Sequence, residues 1–149
     1  MRIIAAALLA TLVSVGPVSA RPPDAPDYKK IEKHFSGDQT VIGETIRYPQ
    51  GGPVNIQSLS VTLMPGETTG WHKHGVPTYG YILSGELTVD YAEKGKRVYR
   101  TGEAFMDAID WWHNGSNGTG KQTRILVVFM GAKGYSPVIR EGAPQETPK

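Results

Sequence analysis

Cysteine is absent from the 149 residues of this sequence. Without it, no disulfide stabilises the fold, and no thiolate acts as a nucleophile or holds a metal ion. An excess of charge of one sign is also lacking, since the formal net charge is +2 at pH 7. No basic stripe with interleaved aromatic residues occurs, so nucleic acid is not expected as a partner.

Long hydrophobic runs are scarce, and the one that stands out lies near the beginning of the sequence. Residues 3–15 are almost continuously apolar, Arg2 precedes them, and the small residues Val18, Ser19 and Ala20 follow. This order is typical of a secretory signal peptide over residues 1–20 and predicts cleavage after Ala20. The expected location is secreted or periplasmic, with no membrane contact after cleavage. A retained N-terminal anchor is the alternative.

The remaining sequence predicts one domain with flexible ends. Residues 21–39 begin with proline-rich, polar sequence, and we expect them to form a partly disordered arm. Residues 40–140 have the length of one domain with a single core, here a barrel. Residues 141–149 are expected to be a flexible tail.

Helical periodicity is also lacking after the N-terminal run, and short β-rich segments punctuated by glycine and proline take its place. This pattern predicts an all-β barrel or sandwich. We expect strands over residues 54–63, 78–83, 86–91, 97–101, 104–106 and 125–130. Residues 40–48 are β-rich as well, whereas residues 114–120 predict a glycine-rich turn.

Three histidines in two glycine-framed segments are the most informative feature that is present. His72 and His74 are two residues apart, so in an extended segment both imidazoles point to the same face. His113 lies in the second segment and would join them if the two segments pair. Neutral imidazole is a common ligand of zinc, iron, copper and nickel, so the three residues predict a metal site. A pair of surface histidines is the alternative.

The spacing of these residues resembles the two motifs of the cupin superfamily. The first motif has a glycine, two histidines, a glutamate and a glycine, and those positions hold Gly66, His72, His74, Thr78 and Gly85. The second motif has a glycine, a proline, a glycine, a histidine and an asparagine, and those positions hold Gly102, Ala108, Asp110, His113 and Asn117. The resemblance implies a single cupin jelly-roll β-barrel of the small bacterial type, with a metal held by the three histidines.

The departures from the motifs concern the fourth ligand. Thr78 stands where the resemblance implies a metal-binding glutamate, and its hydroxyl is a poor ligand without charge. Asp107 and Asp110 flank the second motif, and either carboxylate could replace the missing ligand or act as a general base. Exposure of both to water is the alternative.

Strand parity names further candidates around the histidines. Thr78 and Asp110 are candidates to support the metal site without binding the ion. Thr78 and Gly80 share an inward face, and Trp111 shares the face of His113, so these three are predicted to line a substrate pocket. Packing in the core is the alternative for Trp111. No catalytic residue is assigned.

The resemblance implies several functions that the residues alone do not separate. We expect a divalent transition metal, which could be iron, manganese, nickel or zinc. A dioxygenase-like oxidoreductase acting on a small organic anion is the leading hypothesis, with isomerase or lyase chemistry for a non-redox metal. A non-catalytic periplasmic binding or sensing module is the alternative, and a purely structural barrel is a third. A homodimer through residues 40–48 is also expected.

Overall fold

The computed structural model describes residues 30–144. The predicted signal peptide, residues 21–29 of the arm and residues 145–149 of the tail lie outside the described residues. The described residues divide into two units, residues 30–32 and residues 33–144. In the first unit, the described residues 30–32 have no regular secondary structure. Within the part of the chain that the structure describes, no helix is long and apolar enough to span a bilayer.

Residues 33–144 contain seven β-strands and one short 3₁₀ turn, Ala92–Lys94. The strands are β1 Val54–Leu63, β2 Thr78–Ser84, β3 Glu86–Asp90, β4 Lys96–Arg100, β5 Ala104–Met106, β6 Asn114–Ser116 and β7 Thr123–Ala132. The strand predictions therefore agree with the structure to within two residues at the ends of each strand.

Two antiparallel sheets form the domain. One sheet has the strand order β1-β7-β2-β5, and the other has the order β4-β3-β6. The connection between β2 and β3 passes through Gly85, whose φ of 85° lies in the left-handed region that glycine adopts without strain. The all-β class and the jelly-roll barrel that the sequence predicts are confirmed.

The core lies between the inner faces of the two sheets. Ile82 of β2, Leu87 and Val89 of β3, Phe105 of β5 and Ile125 of β7 are all at most 6% exposed. The alternation of buried and half-buried residues along β3 is the pattern of a strand with one face on the core. Burying side chains of this size contributes about 1.5–3 kcal/mol each, so the shared face holds the sheets together.

Two of the local expectations are wrong. Residues 40–48 form no strand in the described structure, where only an isolated bridge joins Gln39 to Thr45. The reason is a turn at Gly43 with φ of 88°, which the Thr40 hydroxyl closes by donating to the Glu44 carboxylate at 2.8 Å. The edge strands of the four-stranded sheet are β1 and β5 instead. The predicted turn over residues 114–120 begins with β6, because Asn114–Ser116 pair with β3.

Candidate metal centre

The three histidines meet in the structure because their two segments pair. The backbone N–H of His72 donates to the carbonyl of His113 at 3.0 Å, and the N–H of His113 donates to the carbonyl of His72 at 2.9 Å. Lys73 between the first two histidines pairs with Ile139, so the segment is extended and His74 faces the same side as His72. As whole residues, His72, His74 and His113 are 8%, 3% and 1% exposed.

Each imidazole is oriented by a backbone carbonyl at its Nδ1 atom. The acceptors are Gly70 O at 2.8 Å from His72, Pro137 O at 2.9 Å from His74, and Trp111 O at 2.8 Å from His113. A carbonyl oxygen only accepts, so each Nδ1 carries the proton. In the neutral ring each Nε2 then has a free lone pair, which is the form that binds a metal ion.

The Nε2 side of the cluster fits a cation. One ligand atom from each of the three rings lies within 4.8 Å of those from the other two. The Nε2 atom of His113 is fully buried and has no hydrogen-bond partner among the described residues. Burial and then the neighbouring His113 lower the pKa of His72 to about 4, and burial also lowers the pKa of His113. Burial therefore favours the unprotonated rings of His72 and His113 and leaves their lone pairs for a metal ion.

Asp107, the residue directly after β5, also points to this centre. Its Oδ2 atom lies 3.6 Å from Nε2 of His74 and 3.4 Å from Nε2 of His113. Its Oδ1 atom accepts hydrogen bonds from the Tyr91 hydroxyl at 2.8 Å and from the Ala108 N–H at 2.9 Å. Burial acts to raise the pKa of Asp107, but positive charge at His74 and His113 and the hydrogen bond from the Tyr91 hydroxyl outweigh it and lower this pKa to about 2. Asp107 is therefore a carboxylate in the centre.

Tyr91 supports Asp107 as a permanent donor. Its side chain is fully buried, and its hydroxyl also lies 3.3 Å from the hydroxyl of Tyr99. Burial, followed by the charge of Asp107, raises the pKa of Tyr91 far above its ordinary value. The phenol thus keeps its proton, and the hydrogen bond to Oδ1 is present across the physiological pH range.

Asp110 does not reach the histidines, contrary to its predicted role beside the metal. Its side chain is 77% exposed and forms an ion pair with Lys73 at 2.5 Å. The cause is local, because residues 109–111 form a bend after β5 and carry Asp110 to the outer surface. Lys73 points outward there because its neighbours His72 and His74 point inward.

Of the three predicted pocket residues, the structure brings two to the histidines. Thr78 and Gly80 line the cavity beside the cluster. The hydroxyl of Thr78 donates to the Val76 carbonyl at 3.1 Å. Trp111 does not line the cavity, because the bend that carries it breaks the strand parity on which the prediction depended. Its ring packs against the core from outside, and its indole N–H donates to the Tyr91 carbonyl at 2.9 Å.

The centre lies in a cavity of about 360 Å³ whose lining is mostly apolar. The three histidines, Asp107, Thr68, Thr69 and Thr78 are polar residues of this lining. Its apolar side chains come from both sheets and from the C-terminal segment, and they include Leu59, Val61, Leu87, Val127, Phe129 and Val138.

Arg140 is a cavity residue that the sequence did not reveal. It belongs to the C-terminal segment, and its Nη1 atom donates to the Thr69 carbonyl at 2.9 Å. Tyr91 was missed as well, since its side chain acts on the centre only through Asp107. A single arginine 27 positions after the last histidine carries no local signal, and only the pairing of Lys73 with Ile139 brings it close.

Comparison with known proteins identifies the family. The family model described as the cupin domain matches residues 59–129. Together with the two histidine motifs and the antiparallel barrel, this match shows that the chain belongs to the cupin superfamily. No curated protein matches the chain.

The solved structures that resemble this chain are distant in sequence. An oxalate oxidase in complex with the substrate analogue glycolate is 23% identical, with a TM-score of 0.48 over 56% of this chain and 45% of that chain. A cupin domain from Bordetella pertussis is 20% identical, with a TM-score of 0.45 over 58% of this chain and 99% of that chain. The chain thus spans less than half the length of the oxalate oxidase.

Proposed function

We propose that this cupin is a mononuclear-metal oxidoreductase of the dioxygenase type, acting on a small organic anion with an apolar body. One observation carries the proposal: three imidazole lone pairs meet at the wall of a mostly apolar cavity of about 360 Å³. His72, His74 and His113 would hold a divalent transition metal. When bound, a redox-active metal such as iron supplies the means to bring substrate and dioxygen together.

The lining of the cavity favours a ligand with a hydrocarbon portion. Leucine, valine and phenylalanine side chains dominate it, and burying apolar surface contributes roughly 25 cal/mol per Å². A volume of about 360 Å³ lies within the range of small-molecule sites. A ligand without an apolar body, such as oxalate, would leave most of this lining unfilled.

The charges of the cavity favour an anion. Three neutral imidazoles and one carboxylate leave a divalent ion with a net charge of about +1. Arg140 adds a second positive charge at the same cavity. An enolate, phenolate or thiolate group could therefore approach the metal, while the apolar part of the molecule packs against the strands.

The test is oxygen consumption by protein loaded anaerobically with iron(II). The substrates are a phenyl-substituted β-diketone, an alkylcatechol and a small aliphatic thiol, with oxalate as the polar comparison. We expect uptake of about one dioxygen per molecule of one apolar-bodied substrate, with both oxygen atoms recovered in the organic product. His74→Ala should abolish both metal binding and uptake.

Other results would decide against this function. A tight metal-dependent shift in melting temperature with one of these ligands, but without oxygen uptake, would make the protein a binding module. Turnover without dioxygen by zinc- or manganese-loaded protein would indicate isomerase or lyase chemistry. Full metal stoichiometry in His74→Ala would show that the three histidines do not form the metal site.

Export and self-association belong to the proposal as well. If the protein is exported by cleavage after Ala20, N-terminal sequencing of periplasmic protein should begin at Arg21.

A homodimer would use the free edge of β1, because residues 40–48 form no strand. Light scattering that gives the mass of a single mature chain would rule the dimer out.

A further inference from the structure

We infer that Asp107 is the fourth protein ligand of the metal, so that the carboxylate has moved from Thr78 to the neighbouring strand. This inference rests on the proposed metal site and adds one ligand to it. Thr78 and Asp107 are adjacent in space, since the N–H of Asp107 donates to the carbonyl of Thr78 at 2.8 Å. A side chain at either position can therefore reach the same centre from one side of the sheet.

The distances around Asp107 fit a shared cation better than direct hydrogen bonds. Its Oδ2 atom lies 3.4 Å and 3.6 Å from the Nε2 atoms of His113 and His74. N–H···O hydrogen bonds are shorter, at about 2.7–3.2 Å. Ligand atoms that lie about 2.0–2.2 Å from one zinc ion are roughly 2.8–3.6 Å apart when they occupy tetrahedral or adjacent octahedral positions.

The positions of the imidazole protons also favour a cation between Asp107 and the histidines. Each Nδ1 donates to a carbonyl, so a neutral ring has no proton at Nε2 to offer the carboxylate. Two lone pairs and a carboxylate oxygen then face each other in a buried space. Such an arrangement is repulsive unless a positive charge lies between the atoms, and a metal ion supplies it.

The two oxygens of Asp107 have separate tasks. Oδ1 is occupied by the Tyr91 hydroxyl at 2.8 Å and the Ala108 N–H at 2.9 Å. These donors fix the rotation of the carboxylate and direct Oδ2 towards the histidines. Hydrogen bonds of this kind around a ligating carboxylate are the usual support of a metal site. Tyr91 is thus a positioning residue.

The test compares Asp107→Asn with Asp110→Asn, which removes a carboxylate three residues away on the outer surface. Zinc and cobalt(II) dissociation constants are measured by competition with a chromophoric chelator, and the cobalt(II) visible spectrum reports the ligand set. We expect Asp107→Asn to weaken binding roughly 100-fold or more and to change the spectrum. Asp110→Asn should match the wild type in both measurements.

The outcomes separate this inference from the metal site on which it rests. Wild-type protein that binds neither ion would overturn the site of three histidines and the inference with it. Tight binding by the wild type, with the same affinity and spectrum in Asp107→Asn, would overturn only the fourth ligand. In the Asp107→Asn background, Thr78→Glu should return part of the lost affinity, because it places a carboxylate at the neighbouring position.

A measurement on the wild type covers the case in which Asp107→Asn does not fold. Aspartate is labelled with ¹³C at its carboxyl group, and infrared difference spectra are recorded on addition of zinc. We expect the carboxylate stretches of one aspartate to shift at one equivalent of metal. No shift of any labelled carboxylate, with zinc bound, would overturn the inference.

Discussion

Replacing Gly80 with alanine should destabilise the barrel, because the new methyl group would collide with the ring of Phe105. An added Cβ atom would lie 2.5 Å, 2.7 Å and 2.9 Å from three ring atoms, whereas ordinary contacts are 3.4–4 Å. The ring must therefore move by about 1 Å. It is stacked on Tyr99 with ring centroids 3.9 Å apart and planes at 15°, so it cannot withdraw without losing that contact.

Two opposing effects determine how much Gly80→Ala changes the free energy of unfolding. Overpacking of a core costs about 1–3 kcal/mol, and alanine returns about 0.4–1 kcal/mol by restricting the unfolded chain. Gly80 does not have a positive φ, so alanine fits its backbone and this gain applies. The net loss in free energy of unfolding is therefore up to about 2.5 kcal/mol. For a domain of this size that corresponds to a decrease in Tm of up to about 10 °C.

The assay is urea and thermal unfolding of Gly80→Ala beside Gly118→Ala. Gly118 is the matched control, since an added Cβ there meets no atom within 4 Å and its φ is not positive. In a Phe105→Leu background, Gly80→Ala should cost less than in the wild type. If Gly80→Ala melts at or above both the wild type and Gly118→Ala, the close packing of the ring on this glycine is refuted.

Three further results are expected. In metal-free protein, the free energy of unfolding should fall by up to about 3 kcal/mol as the pH is lowered from 6.5 to 4. The pKa of His72 is lowered from 6.5 to about 4 in the folded protein, so the unfolded chain takes up a proton at a higher pH than the folded chain does. Urea titrations across this pH range measure the change. Asn117→Ala should cost about 2–4 kcal/mol in chemical denaturation, because the buried amide bonds Leu63 O at 2.9 Å, Lys121 O at 2.7 Å and Thr119 N at 3.0 Å. Trp111→Phe should leave ligand affinity unchanged in calorimetric titrations while lowering stability by about 1 kcal/mol, through loss of the hydrogen bond to Tyr91.

Strand periodicity predicted the all-β class and the shared face of His72 and His74, whereas the jelly-roll barrel and the approach of His113 were implied by the resemblance to the cupin motifs. His72 and His74 lie in an extended segment, so the rule that residues two apart share a face holds. The same rule fails for Trp111, since a bend over residues 109–111 replaces the assumed strand. The rule that residues two apart share a face was therefore correct for the paired strand segment of His72 and His74 and wrong for Trp111 in the adjacent bend.

The choice between the two aspartates could not be made from the sequence. Asp107 still follows the direction of β5, because its N–H bonds to Thr78, whereas Asp110 lies beyond the bend and pairs with Lys73. Three positions thus separate a buried carboxylate from one that is 77% exposed. The position of Arg140 could not be predicted for a different reason, since Arg140 contacts Thr69, which is 71 residues away in sequence.

The backbone carbonyls that orient the imidazoles have a consequence for how this protein can evolve. A side-chain acceptor is lost by one nucleotide change, but no substitution deletes the carbonyl of Gly70, Trp111 or Pro137. The ligand orientations are thus protected against most point mutations nearby. They are instead exposed to insertions and deletions, above all in the segment around Pro137, which holds His74 from 63 residues away. Lineages of this protein should therefore vary freely in side chains around the centre while the lengths of these three loops stay constant.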